Sequence, residues 1–129
     1  RAMKTQKTKI NYKDGRGTIR DILSHTPFDA ITFITSKAGA VRGNHYHKKS
    51  LQYDYILKGS MLCVSKIGKS KKQKKIVKQG EVVVHPVNEQ HAYKAIEDTE
   101  FISITRGPRN GENYEDDVYR LTGKEILIA

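Results

Sequence analysis

Short apolar segments recur along this chain at intervals of about ten residues, and no segment shows the sustained periodicity of an amphipathic helix. The segments are rich in Ile, Val, Thr, Tyr and Phe, which favour β-strands, and clusters of Gly, Pro, Asn or Lys separate them. This rhythm predicts an all-β fold with ten candidate strands: Thr18–Leu23, Ala30–Ser36, Val41–His47, Leu51–Leu57, Met61–Lys66, Lys74–Lys78, Glu81–His85, His91–Ile96, Phe101–Thr105 and Asp117–Leu121.

Many short strands without an internal repeat favour a barrel or jelly roll, because closure removes exposed sheet edges. The 129 residues suit one domain with a single core. An immunoglobulin-type sandwich is not supported, since the chain has no Trp and no cysteine pair. We expect residues 1–13 to form a basic N-terminal tail or a swapped edge strand, and residues 14–129 to form the barrel domain.

The net charge of +10 is concentrated in one place. Seven lysines and no acidic residue lie between Ser65 and Gln79, a stretch that falls between two strand-like segments and contains no aromatic residue. This pattern predicts a solvated hairpin tip, with nucleic-acid binding as the less favoured interpretation. The arginines are dispersed, and their planar guanidinium groups suit contacts with phosphate in an anionic substrate.

Several classes of protein and site are excluded. No apolar run approaches the ~20 residues that span a bilayer, so no membrane partner is expected. Residues 1–10 are basic and polar, unlike a secretory signal, and a cytoplasmic location is expected. The single cysteine, Cys63, excludes an intrachain disulfide, so any metal here would need histidine, amide or carboxylate ligands.

The histidines form the clearest candidate site. His45 and His47 are separated by one residue in a strand-like segment, so both imidazoles point to the same face. His91 opens a later strand that a barrel can bring opposite this pair. On the strand after the pair, Gln52 and Asp54 share one face, which is consistent with the wall of a site.

The spacing of these residues resembles the two signatures of the cupin family. The first match runs Gly39, five residues, His45, one residue, His47, four residues, Gln52, six residues and Gly59, with Gln52 where the family has Glu. The second runs Gly80, five residues, Pro86, Val87, Asn88, two residues and His91, with Asn88 replacing a Gly and Ala95 replacing the final Asn. The resemblance implies a cupin-type double-stranded β-helix, a jelly-roll barrel.

In cupins the residues at these positions bind a divalent metal, so the resemblance nominates His45, His47, Gln52 and His91 as metal ligands. Neutral imidazoles suit Zn, Fe and Ni, and a neutral Gln52 is a weaker partner for a hard ion such as Mn. The identity of the metal is open, and a metal-free polar cluster is the alternative. His25 and His85 lie outside the signatures and are expected to be surface or turn residues.

Three further motifs resemble a narrower branch of the cupins. They are DGRG at 14–17, RGNHYHKKSLQ at 42–52 and YEDDVYR at 114–120. They are similar to dTDP-4-dehydrorhamnose epimerases, dTDP-4-keto-sugar ketoisomerases and the cupin domains of capsular polysaccharide enzymes. This resemblance implies a homodimeric isomerase or epimerase that acts on a keto-sugar nucleotide or a related polar metabolite by histidine-mediated proton transfer.

Such a reaction needs a base and an acid. His45 or His47 is the candidate base, Asp54 is expected to orient or polarise a histidine, and Tyr114 is a candidate donor together with Tyr53, Tyr55 and Tyr93. The candidate ligands of a nucleotide diphosphate are Arg42, Arg106 and Arg120. The alternatives are a non-catalytic cupin that binds a metal or small ligand, and a metal-dependent dioxygenase.

Overall fold

The computed structural model describes residues 4–108 and 116–129, and within them the chain forms twelve β-strands and no α-helix. The strands are β1 (Lys4–Lys7), β2 (Ile10–Asp14), β3 (Gly17–Arg20), β4 (Ala30–Ser36), β5 (Val41–Tyr46), β6 (Leu51–Lys58), β7 (Ser60–Lys66), β8 (Gln73–Lys78), β9 (Glu81–His85), β10 (Gln90–Ala95), β11 (Thr99–Arg106) and β12 (Tyr119–Arg120). A 3-10 turn covers Gly123–Glu125. In these two ranges there is no helix of the length and apolarity that crossing a membrane requires.

Ten of the strands form two antiparallel sheets of five. The first has the order β1-β9-β6-β11-β4 and the second the order β12-β5-β10-β7-β8, while β2 and β3 form a separate hairpin. One apolar cluster joins the two sheets, with Ile56, Val83 and Phe101 from the first and Met61 and Tyr93 among its members from the second. The architecture is a jelly roll, as the strand pattern predicts.

The inward side chains change from apolar to polar along the barrel. Paired inward residues of β6 and β11 are, in order, Ile56 with Phe101, Asp54 with Ser103 and Gln52 with Thr105. On β10 of the facing sheet the inward residues are, in the same direction, Ala95, Tyr93 and His91. One end of the interior is therefore a hydrophobic core, and the other end is lined by groups that can bind a polar ligand.

The N-terminal strands have different positions in the fold. β1 pairs with β9 at the edge of the first sheet, with Lys4 opposite Val84. The strand predicted for Thr18–Leu23 ends earlier, at Arg20, and the next residue, Asp21, donates its N–H to the side-chain oxygen of Asn11 at 2.6 Å.

The lysine-rich stretch forms the hairpin that its pattern predicts. β7 and β8 pair in antiparallel register from Ser60 opposite Lys78 to Ser65 opposite Gln73. The lysines between Gly68 and Gln79 are exposed. This charge lies at the edge of the second sheet, so it does not contribute to the polar end of the interior.

Candidate active site

A cavity of about 370 Å³ opens at the polar end of the barrel, between the two sheets. Ligand sites in proteins usually measure about 300–1,000 Å³, so this volume suits a small polar molecule. The polar side chains that line it are His45, His91, Gln52, Ser103, Tyr93, Arg42 and Arg120.

Three histidines converge at this cavity. His45 on β5 pairs directly with His91 on β10, and their ring centroids are 4.8 Å apart. The ring of His47, just beyond β5, lies 4.9 Å from that of His45 and 5.4 Å from that of His91. One nitrogen from each ring lies within 4.8 Å of the others, so the three side chains that the sequence nominates could share a metal ion.

A glycine allows β5 to approach β10 this closely. Gly43 has a φ of 88°, and a Cβ at this position would lie 2.8 Å from the backbone oxygen of His91. The register of the two strands shifts at this point, between His91 and Ala92. A side chain at position 43 would therefore push the two strands apart where they hold His45 and His91.

Backbone carbonyl groups fix the tautomers of two of these rings. Nδ1 of His47 donates to the carbonyl oxygen of Asp117 at 2.8 Å, and Nδ1 of His91 donates to that of Glu89 at 3.1 Å. Because a carbonyl oxygen only accepts, each neutral ring carries its lone pair on Nε2. Both Nε2 atoms are buried and have no hydrogen-bond partner among residues 4–108 and 116–129.

His91 is held in its neutral form. Burial lowers the pKa of this imidazole well below its usual value, and the neighbouring His85, His45 and His47 lower it further. A neutral ring can accept a hydrogen bond or ligate a metal through Nε2, whereas a charged ring can do neither.

Asp117 anchors the loop that carries His47. Its side chain is buried, and its carboxylate accepts the backbone N–H groups of Lys48 at 3.0 Å, Lys49 at 2.9 Å and Ser50 at 2.8 Å. Burial acts to raise the pKa of this carboxyl, but the three N–H donors outweigh it and hold the pKa below its ordinary value. The same residue thus binds the loop through its side chain and His47 through its backbone.

We expect Asp117→Asn to lower the free energy of unfolding by about 1–2 kcal/mol, because one amide oxygen cannot replace two carboxylate oxygens. A carboxyl whose folded pKa is depressed stabilises the fold above its unfolded pKa, near 3.8, and loses this effect as the pH falls through the folded value. Urea denaturation at pH 7 and pH 3 measures both effects. The exposed neighbour Asp116 supplies the control, Asp116→Asn; an equal loss in both variants would contradict the anchoring role.

A chain of buried hydrogen bonds lies behind the cavity. Nε2 of Gln52 donates to both oxygens of Asp54 at 2.9 Å, and the Tyr93 hydroxyl donates to Oδ2 of Asp54 at 2.7 Å. The Tyr93 oxygen accepts from Nε2 of His85 at 2.5 Å, and Nδ1 of His85 donates to Glu89 at 2.7 Å. The expectation that His85 is a surface or turn residue is wrong, since only 1% of it is exposed.

The position of His85 follows from its strand. Residues of β9 are buried along its whole length, so burial on this strand does not alternate and the sequence gives no sign of which side chains point inward. The register places His85 opposite Gln52, at the polar end of the interior.

The chain of hydrogen bonds contains a positive charge between two carboxylates. Burial lowers the pKa of His85, but hydrogen bonds and charge attraction from Asp54 and Glu89 outweigh burial and raise the pKa to about 9. The pKa of Asp54 is lowered despite its burial, mainly by His85. Burial and Asp54 raise the pKa of Tyr93 well above its usual value, so this hydroxyl stays protonated and bound to Asp54. Tyr93 is therefore a poor proton donor to a substrate.

The structure places the remaining candidates as follows. Asp54 is fully buried and lies 3.3 Å from His85, not against the His45 and His47 pair. Arg42 is anchored to β4, where it donates to the Ser36 hydroxyl and the Thr35 carbonyl, both at 2.7 Å.

Arg120 lines the cavity and is the register partner of His45 on the neighbouring strand. Arg106 is exposed at the end of β11 and does not line the cavity. Tyr114 lies outside the described residues, and its role as a donor stays a prediction.

Comparisons with solved structures support the fold. A 3,4-ketoisomerase from Helicobacter canadensis is 20% identical, with a TM-score of 0.71 over 85% of this chain and 86% of that one. The dTDP-6-deoxy-D-glucose-3,5-epimerase RmlC from Legionella pneumophila, in complex with dTDP-4-keto-L-rhamnose, is 16% identical, with a TM-score of 0.74 over 96% and 76%. The capsular polysaccharide assembling protein CapF from Staphylococcus aureus is 20% identical, with a TM-score of 0.64 over 90% of this chain and 33% of CapF.

These similarities confirm the cupin-type jelly roll that the two signatures predict. No curated protein sequence matches the chain. The model of one protein family, the polysaccharide biosynthesis C-terminal domain, matches residues 12–110, which is well over half of the sequence. The chain therefore belongs to the polysaccharide biosynthesis C-terminal domain family.

Proposed function

We propose that this protein is an isomerase or epimerase that acts on a keto-sugar nucleotide by proton transfer at a carbon beside the ketone. The convergence of His45, His47 and His91 at the polar end of the barrel carries this proposal. Its support is that solved proteins with the same fold include a 3,4-ketoisomerase and a 3,5-epimerase.

In this mechanism His45 is the base, because it is the member of the histidine pair that lines the cavity. The C–H bond beside the ketone breaks, the proton passes to the imidazole, and the electron pair forms an enolate with its charge on the carbonyl oxygen. Return of the proton to the opposite face of the carbon gives an epimer. Its return to the former carbonyl carbon, with the proton of the adjacent hydroxyl passing to the enolate oxygen, gives the isomeric ketone and a new hydroxyl group.

The nucleotide is proposed to lie on the arginine side of the cavity. Arg42 and Arg120 both line it, and an arginine that β4 already holds in place, as Arg42 is, binds a phosphate oxygen with little further loss of entropy. Arg106 lies farther out and is proposed to meet only the distal part of a nucleotide.

The test of the function is proton exchange. The protein is incubated in D₂O with a dTDP-4-keto-6-deoxyhexose, and the sugar is followed by proton NMR. We expect the signal of the proton beside the ketone to disappear at a rate that depends on protein concentration. Absence of exchange with both dTDP-linked and UDP-linked keto sugars would refute the proposed function.

The same histidines favour a second candidate, a metal-assisted site. The buried Nε2 atoms of His47 and His91 suit a divalent transition metal, which His45 and the side-chain oxygen of Gln52 would also hold. Such an ion, when bound, polarises a carbonyl oxygen of the substrate as a Lewis acid. His45, His47 and His91 would then position the substrate as well as the metal.

Metal content after loading with Zn²⁺ tests this candidate. We expect about one metal per chain in the wild type after dialysis, and a loss of most of it in His91→Ala, since three imidazoles bind far more tightly than two. His25→Ala, at an exposed histidine, is the matched control. A metal-free wild type after loading with Zn²⁺, Fe²⁺, Ni²⁺ and Mn²⁺ would leave proton transfer by histidine alone.

A further inference from the structure

The wall of the interior that faces the histidines carries three neutral polar side chains, Gln52, Ser103 and Thr105, beside the Asp54 carboxylate. On β6 and β11, Gln52 pairs with Thr105, and Asp54 pairs with Ser103. Ser103 and Thr105 are each 1% exposed, and neither hydroxyl oxygen has a hydrogen-bond partner in the described part of the chain. Ser103 lines the cavity directly, and Thr105 lies two residues farther along the same strand.

Buried hydroxyl groups without partners are costly. Leaving such a group unsatisfied costs about 1–3 kcal/mol, and most buried polar groups in proteins are paired. Two of them side by side on one inward face point to a polar ligand that completes their hydrogen bonds.

The orientation of Gln52 adds an acceptor to the same wall. Its amide nitrogen donates to both oxygens of Asp54, so Oε1 is the atom that remains for a ligand in the cavity. The contacts of Asp54 with Tyr93 and His85 hold that carboxylate in place. The buried chain of hydrogen bonds thus fixes which end of the Gln52 amide a ligand meets.

We propose that Ser103, Thr105 and Oε1 of Gln52 form a binding site for the hydroxyl groups of the sugar ring, with no role in proton transfer itself. A hydroxyl can donate and accept, as Ser103 and Thr105 can, whereas Gln52 can only accept from the sugar. The neutral wall orients the ring, and the histidines opposite act on its C–H bond. This inference rests on the proposed function, because it assigns the sugar of the same substrate.

The test compares stability and binding in Ser103→Ala, Thr105→Val and a matched control. The control is Thr99→Val on the same strand, where the buried hydroxyl donates to the carbonyl oxygen of Glu97 at 2.8 Å. We expect Thr99→Val to lower the melting temperature. Ser103→Ala and Thr105→Val are expected to leave it unchanged or raise it, since they remove hydroxyls that have no protein partner.

Binding is measured by calorimetry with dTDP and with dTDP-4-keto-L-rhamnose. The wild type is expected to bind the sugar nucleotide more tightly than dTDP. Ser103→Ala and Thr105→Val are each expected to weaken sugar-nucleotide binding about threefold to tenfold and to leave dTDP binding unchanged, since each removes one hydrogen bond to the sugar.

The outcomes separate this inference from the proposed function. Equal affinity of the wild type for both ligands, or unchanged sugar-nucleotide binding in the variants, would overturn the sugar-binding wall and leave nucleotide binding intact. A melting temperature that falls as in Thr99→Val would show a structural role and would also overturn it. Failure of the wild type to bind these ligands and their UDP counterparts would refute the proposed function, and the inference with it.

Discussion

His45→Ala is expected to slow proton exchange at the carbon beside the ketone by about 10²–10⁴-fold, the range that a positioned general base contributes. His45 lines the cavity and contacts the rings of both His47 and His91, so its removal takes away the base and leaves its neighbours in place. The exchange rate in D₂O, measured by proton NMR at saturating sugar nucleotide, gives the effect directly.

Two controls accompany this measurement. His25→Ala removes an exposed histidine and should exchange at the wild-type rate. The circular dichroism spectrum of His45→Ala should match that of the wild type, because His45 is only partly buried. Wild-type exchange in a folded His45→Ala would show that His45 is not the base, and the same assay on His47→Ala would then test the other member of the pair.

Strand alternation in the sequence finds those site residues that lie close together on one strand. Alternation places Gln52 and Asp54 on one face of β6, and both are buried. The resemblance to the cupin signatures nominates His91, and the structure pairs it with His45 across β5 and β10. Alternation can be found in the sequence because it depends only on local geometry that is fixed by the strand period.

The missed residues depend on contacts between distant parts of the chain. Asp117 meets Lys48, 69 residues away in sequence, through a hydrogen bond that no local pattern encodes. Ser103 and Thr105 are short polar side chains in an alternating strand, a pattern typical of a face in water, yet they point into the barrel. Only their spacing of two and four residues from the apolar Phe101, on the same face of the strand, could have indicated this. The homodimer and the cytoplasmic location stay predictions.

His85→Phe is expected to lower the free energy of unfolding by about 3–5 kcal/mol, the usual effect of removing one partner from a buried ion pair. The His85 ring is fully buried between Asp54 and Glu89, whose carboxylates would lose their shared positive charge. Urea denaturation at pH 6.5 measures the loss. The triple variant Asp54→Asn, Glu89→Gln, His85→Phe should recover part of it, because it no longer buries unpaired charge; no recovery would show that packing, not charge, makes His85 necessary.

The pH dependence of the unfolding free energy is an independent way to distinguish the charge of His85 from its packing as the cause of the loss. The pKa of His85 is about 9 in the folded protein and near 6.5 when unfolded, so its contribution is fully present below pH 6.5 and is lost as the pH rises through 9. His91, whose folded pKa is lowered, changes stability only on the acid side of 6.5 and does not interfere. The difference in unfolding free energy between wild type and His85→Phe should therefore shrink steadily from pH 6.5 to pH 9. A difference that stays constant over this interval would mean that His85 is buried as a neutral ring and does not form the ion pairs with Asp54 and Glu89.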